Sequence, residues 1–147
     1  MDFGAGFYTT SSFKQAKSWA ISRLAFRLAK GLSIEGLQPT VSVYDFNDSE
    51  ARSNFKVLDF KTADIAWLEY VAKNRREESV EPYDLIIGPV ADDKTMKVVV
   101  LYVRGRYTAE EAIRRLEPEK LDNQYTFANR KALQYLTFEG VEIIEEN

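Results

Sequence analysis

Neither cysteine nor histidine occurs anywhere in the 147 residues. Disulfides and metal sites built on thiolate or imidazole are therefore closed to this chain. With 45% of its residues hydrophobic, a single domain of this size can bury roughly two thirds of its unfolded surface, so one domain spanning residues 1–147 is expected. The same absence removes Ser-His-Asp triads, Cys-His pairs and thiol redox sites. Carboxylate, hydroxyl, amide, amine and aromatic chemistry is what remains.

Twenty-three acids against twenty bases give a net charge of -3, which does not steer the whole molecule toward nucleic acid. The charges are unevenly placed. From Phe3 to Ile34 there is no acid, while Lys14, Lys17, Arg23, Arg27 and Lys30 are all cationic, and Glu139, Glu142, Glu145 and Glu146 make the end acidic. Such blocks are commonly solvated faces. A basic face for a phosphate-bearing ligand or an acidic partner is the alternative. No run of about 18 apolar residues and no leader-like N-terminus is present, so a cytoplasmic protein is expected.

Ser11-Ser12 offers a cap for a helix from Phe13 to Lys30 that Gly31 ends. At 100° per residue Ile21, Leu24, Ala25 and Leu28 form one stripe, expected to face the core, with Trp19 and Phe26 nearly opposite. Thr40 to Phe46 and Phe55 to Phe60 alternate apolar with polar residues and read as strands, with turn residues Asn47-Asp48-Ser49 between them. Thr62 is expected to cap a helix over Ala63 to Arg76, followed by a short strand from Asp84 to Gly88. From Asp92 to Val103 capping and spacing favour a helix over the strand preference of Val98-Val99-Val100. A Thr108/Glu111 capping box opens a helix through Leu116. A strand over Gln124 to Phe127, a helix capped by Asn129 through Leu136 and a strand over Phe138 to Ile144 complete the chain. This irregular alternation favours an α+β fold over a doubly wound sheet.

Gly4-Ala5-Gly6 allows close backbone approach just ahead of a helix start, yet no phosphate-loop or dinucleotide fingerprint is present. Asp92-Asp93 and Glu110-Glu111 stand where acids cap or complement helix N-termini, and no metal site is expected. No spacing among the acids recommends a glycosidase pair.

The run from Gly4 to Trp19, GAGFYTTSSFKQAKSW, resembles the second motif of ADP-ribosyltransferases of the diphtheria-toxin and poly-ADP-ribose polymerase type. Asp84 to Asp93 and Leu121 to Phe127 resemble an uncharacterised bacterial family grouped with those transferases and associated with toxin-antitoxin pairs. The resemblance implies an α+β split sheet with flanking helices, and NAD as substrate with no metal. It implies Tyr8 and Trp19 on the two sides of nicotinamide, Gly6 and Thr9 on the adjoining strand, and Ser11 or Ser12 near the carboxamide. It places Gln124 where the family carries its catalytic glutamate, with Tyr8 and Gln124 as the catalytic residues and Gly6, Thr9, Ser12 and Trp19 binding NAD. A neutral amide holds ribose but lacks the negative charge that a carboxylate offers to a positively charged sugar.

The transferases open on a strand bearing Tyr-His-Gly or arginine. This chain opens at Met1-Asp2-Phe3 and has no histidine, so the expected fold lacks that first strand and activity requires the first motif to be supplied. The partners implied are an antitoxin protein and a protein target; membrane is not expected, and nucleic acid is not favoured. The alternative is a catalytically inactive or truncated interaction module keeping the same fold, whose basic helix docks an acidic partner. A third reading makes Tyr8 and Trp19 ordinary packing aromatics.

Overall fold

The computed structural model describes residues 2–116 and 121–145. In chain order the elements are β1 (Phe7–Thr10), α1 (Phe13–Ala29), β2 (Thr40–Phe46), α2 (Asp48–Asn54), β3 (Val57–Asp59) and α3 (Ile65–Arg75). There follow β4 (Leu85–Pro89), α4 (Asp93–Val103), α5 (Ala109–Leu116), β5 (Asn123–Phe127), a 3₁₀ turn (Lys131–Tyr135) and β6 (Leu136–Ile143). The fold is mixed α+β. A four-stranded sheet has the order β1-β5-β4-β3, antiparallel except where β3 meets β4, and β2 pairs antiparallel with β6 in a separate two-stranded sheet.

Directly paired residues share a face, so the registers sort the larger sheet into two sides. Tyr8, Thr126, Ile86 and Leu58 lie across one side, with Thr10, Gln124 and Gly88 one step along. That side packs with Phe3, Phe60, Trp67, Leu68, Val71, Val99, Ala112 and Leu116, drawn largely from α3, α4 and α5. Phe7, Phe127, Leu85 and Val57 lie across the other side, with Thr9, Tyr125 and Ile87 one step along. Phe127, Leu85 and Ile87 of this side pack with Ala51, Phe55 and Ala132.

The caps explain where the helices start. Ser12 accepts from the Gln15 N–H at 3.1 Å, Asp92 from the Thr95 N–H at 2.8 Å, and Thr108 from the Glu111 N–H at 3.1 Å. α4 is therefore helical despite its valines, because a capped, half-buried face outweighs their modest β preference. The third helix is capped by Asp64, which accepts from the Trp67 N–H at 2.9 Å, rather than by Thr62. Asn47-Asp48-Ser49 does more than turn the chain. Asn47 caps the seven-residue α2, and Ala51 of that helix is fully buried.

The expected core stripe of α1 is the main correction. None of its seventeen residues is buried, Leu28 is 61% exposed, and Ile21 and Leu24 are only partly covered. The side turned toward the body of the protein carries Ala16, Trp19, Ala20, Arg23 and Phe26 instead. Met1 and Glu146 lie outside the described residues.

Candidate functional site

The N-terminal segment is pinned before β1 begins. Asp2 is paired with Arg75 at 2.9 Å, the Asn74 side chain donates to the Asp2 carbonyl, and the Phe3 ring lies 6.0 Å from both Phe60 and Tyr70. Gly4, at φ +83°, turns the chain from this anchor into the strand. Gly6 has a different role. A Cβ there would stand 2.7 Å from the Phe127 carbonyl oxygen and 3.0 Å from Thr126, so glycine is what lets β1 close on β5.

Between α1 and β1 on one side and β2 on the other lies an open cleft of about 1460 Å³. Its walls are aromatic: Phe7, Trp19, Tyr44 and Phe46 all line it, with Tyr125 and Phe127 on the floor strand β5. Phe7 meets Tyr44 edge-on at 5.6 Å, and Phe46 meets Phe127 edge-on at 5.4 Å. Hydroxyls of Ser12, Ser22, Thr40 and Ser42 and the guanidinium of Arg23 supply the polar groups. A bulge between Val43 and Tyr44 shifts the register of β2 against β6, the usual device for re-aiming side chains.

Gly6, Thr9, Ser11, Ser12 and Trp19 thus all border one cleft. Ser12 already serves as the α1 cap, and the Thr9 hydroxyl donates to the Tyr125 carbonyl at 3.1 Å. The two residues expected to be catalytic are placed otherwise. Tyr8 borders the cleft along its strand, but its side chain leaves on the opposite face, where the hydroxyl accepts from the Phe3 N–H at 2.9 Å and donates to the Gly4 carbonyl at 2.6 Å. Burial pushes its pKa up to about 12. Tyr8 and Trp19 consequently do not form two sides of one slot; the pleat puts an intact sheet between the ring and the cleft.

Gln124 shares that hidden face, opposite Thr10 and Gly88, is 2% exposed, and its Nε2 finds no hydrogen-bond partner among the described residues. The cleft residues that sequence reasoning missed are Phe7, Tyr44 and Phe46; of the five cations of the basic run, Arg23 is the one that lines the cleft. Alternation in Thr40–Phe46 already put Tyr44 and Phe46 on one side of a strand; which sheet they would face was not encoded locally.

Asp84, at the start of β4, is structural. Its carboxylate accepts from the Lys56 N–H at 2.9 Å and the Asn129 side chain at 2.8 Å, and these hydrogen bonds hold its pKa below the ordinary carboxylate range. Asp92 caps α4 as expected. No helix among the described residues is long and apolar enough to cross a membrane.

Residues 1–138 match the family described as protein of unknown function DUF3990. The chain belongs to this family. The match runs through every element described above as far as the first residues of β6, so the aromatic cleft lies wholly within the DUF3990 region. Comparison with curated proteins and with solved structures returns no match.

Proposed function

We propose that this DUF3990 protein is an NAD-dependent ADP-ribosyltransferase-like domain that binds the dinucleotide in the aromatic cleft. The observation that carries the reading is the convergence on one cleft of Gly6, Thr9, Ser12 and Trp19, the four motif residues to which the resemblance assigns NAD binding. The chemistry suits the ligand. Planar rings find aromatic faces, ribose hydroxyls find the serines and threonines, and the pyrophosphate finds Arg23. On this reading Trp19 stacks on a ring of NAD with Phe7 or Tyr44 opposite it, rather than with Tyr8. The split sheet is then of the transferase type, the setting is cytoplasmic, and the protein is the toxin of a pair whose partners are an antitoxin and a protein target.

Catalysis on this reading is by positioning, since Gln124 of β5 lies on the sheet face turned away from the cleft and, as an amide, brings no charge. That same burial favours a second reading, a non-catalytic interaction module that keeps the binding cleft. Trp19 gives a direct test. The chain has two tryptophans, one bordering the cleft and the other, Trp67, fully buried with its indole N–H donating to the Pro89 carbonyl. Titration with NAD is expected to quench tryptophan fluorescence saturably in the native protein and not in Trp19→Phe, with calorimetric affinity weakened about tenfold or more. An unchanged affinity in Trp19→Phe rejects the placement. No heat with the native protein rejects NAD as ligand, and binding without nicotinamide release favours the second reading.

A further inference from the structure

We infer that the outward face of α1 is a docking surface for an acidic amphipathic helix of another protein. The inference does not depend on what the cleft binds. Ile21, Leu24, Ala25 and Leu28 stand at spacings of three and four residues, the pattern by which one helix packs on another. Within the fold no residue of that stripe is buried. The opposite side of α1 faces β1 and β2 through Ala16, Trp19, Ala20 and Phe26, while Ala25 and Leu28 are exposed and Ile21 and Leu24 are only partly covered. α2, α3 and α5 each bury apolar side chains, whereas α1 buries none, so this stripe is an exception within its own fold.

Charge selects the occupant. α1 carries Lys14, Lys17, Arg23 and Arg27 with Lys30 as its C-cap, and no acid lies between Phe3 and Ile34. A second α1 laid on the first would set cations against cations, which disfavours pairing of two copies through this helix. Of the exposed acids among the described residues of this chain, Glu139 and Glu142 sit on β6, where the period of two does not match a stripe of helical spacing, and those on helices stand on the short elements α2 and α5, whose apolar residues Ala51, Ala112 and Leu116 are already buried in the core. An anionic bilayer would accept Lys14 and Lys17 at its headgroups, but it selects helices with one segregated apolar face, whereas α1 carries bulky apolar groups on both sides. A helix with leucines on one stripe and glutamates beside it satisfies both features at once. It covers Leu24 and Leu28 and pairs with the two lysines.

The test uses a fluorescein-labelled synthetic peptide of four helical turns, with leucine on one stripe and glutamate elsewhere, titrated against the full chain by anisotropy. Saturable binding that weakens as salt rises is expected. Leu24→Gln with Leu28→Gln should lose about tenfold or more in affinity, Lys14→Gln with Lys17→Gln should flatten the salt dependence, and Tyr44→Ala on the cleft wall should change neither. These α1 positions are not buried, so circular dichroism of the variants should match the native chain. A peptide of the same composition with its leucines dispersed should not bind. Equal binding of the dispersed peptide, or no effect of the leucine pair, overturns the inference. So does sedimentation with phosphatidylserine vesicles in place of peptide binding, or concentration-dependent dimerisation abolished by the leucine pair.

Discussion

α3 and α1 are built from similar materials and end in opposite circumstances. Each is capped by a side-chain oxygen at its first turn, each ends in cations, and each contains one tryptophan. In α3 the tryptophan, a leucine, a valine and an alanine are buried within eleven residues, locked between the larger sheet and the helices α4 and α5. In α1 seventeen residues bury none. The difference comes from where the sheets are. α3 packs in one core cluster with Ile86 of the inner strand β4 and with α4 and α5, whereas α1 meets the edge strand β1 and β2 of the separate two-stranded sheet across the open cleft. The packed half of the molecule is therefore its frame, and the open half carries the cleft and the helix face to which binding is assigned by proposal.

The largest effects should fall on the frame. Leu68→Ala removes a fully buried side chain from α3 and should cost about 2–5 kcal/mol in denaturant unfolding. Gly6→Ala tests the joint between the halves, since its Cβ would meet the Phe127 carbonyl oxygen at 2.7 Å. A cost of about 1–3 kcal/mol is expected. By contrast Gly105→Ala meets no atom within 4 Å and carries only the cost of its φ of +77°, about 1 kcal/mol. If Gly6→Ala is the milder of the two, β1 is not held against β5 as described.

Tyr8 marks the boundary in another way. Its folded pKa of about 12 lies above the ordinary 10.0, with burial the main cause. The folded state thus keeps a proton that the unfolded chain gives up. The contribution is complete below pH 10 and is lost as the pH rises through 12. Unfolding free energy of the native protein should fall more steeply across that window than that of Tyr8→Phe. Parallel curves would mean that the hydroxyl is free to reach the cleft.

Much of the fold was legible from local signals because local physics decided it. Ser12, Asp92 and Thr108 cap the helices they were expected to cap, and the alternation of Thr40–Phe46 produced a strand. Boundaries shifted where two capping residues stood close together, as with Thr62 and Asp64, or where an Asn-Asp-Ser turn continued into a helix. The site was less legible. Periodicity says which residues share a face of α1 or β1 and nothing about which face meets the body of the protein, because that is settled by strands far away in sequence. For α1 the apolar stripe pointed outward, and the pleat sent Tyr8 of β1 and Gln124 of β5 behind the sheet while Phe7 faced the cleft. Charge in the cleft was hidden for the same reason. Arg23 is one of five cations that the sequence assigns either to a solvated face or to a phosphate-bearing or acidic ligand, and only the fold sets it, alone of the five, beside aromatic walls.

The smallest expected effect is the most diagnostic of the contrast between the two helices. Leu28→Ala in α1 removes a side chain that is 61% exposed, so little transfer free energy is lost and no cavity forms. Alanine is also the better helix former. The change in unfolding free energy should stay within about 0.5 kcal/mol of zero. Leu24→Ala, partly covered, should fall between this value and that of Leu68→Ala. A cost for Leu28→Ala approaching that of Leu68→Ala would show that the isolated chain already covers the outer side of α1. The contrast would then vanish, because both helices would be framework. A negligible cost, together with native-like circular dichroism, leaves that leucine with no structural duty in the free protein and keeps it available to another surface.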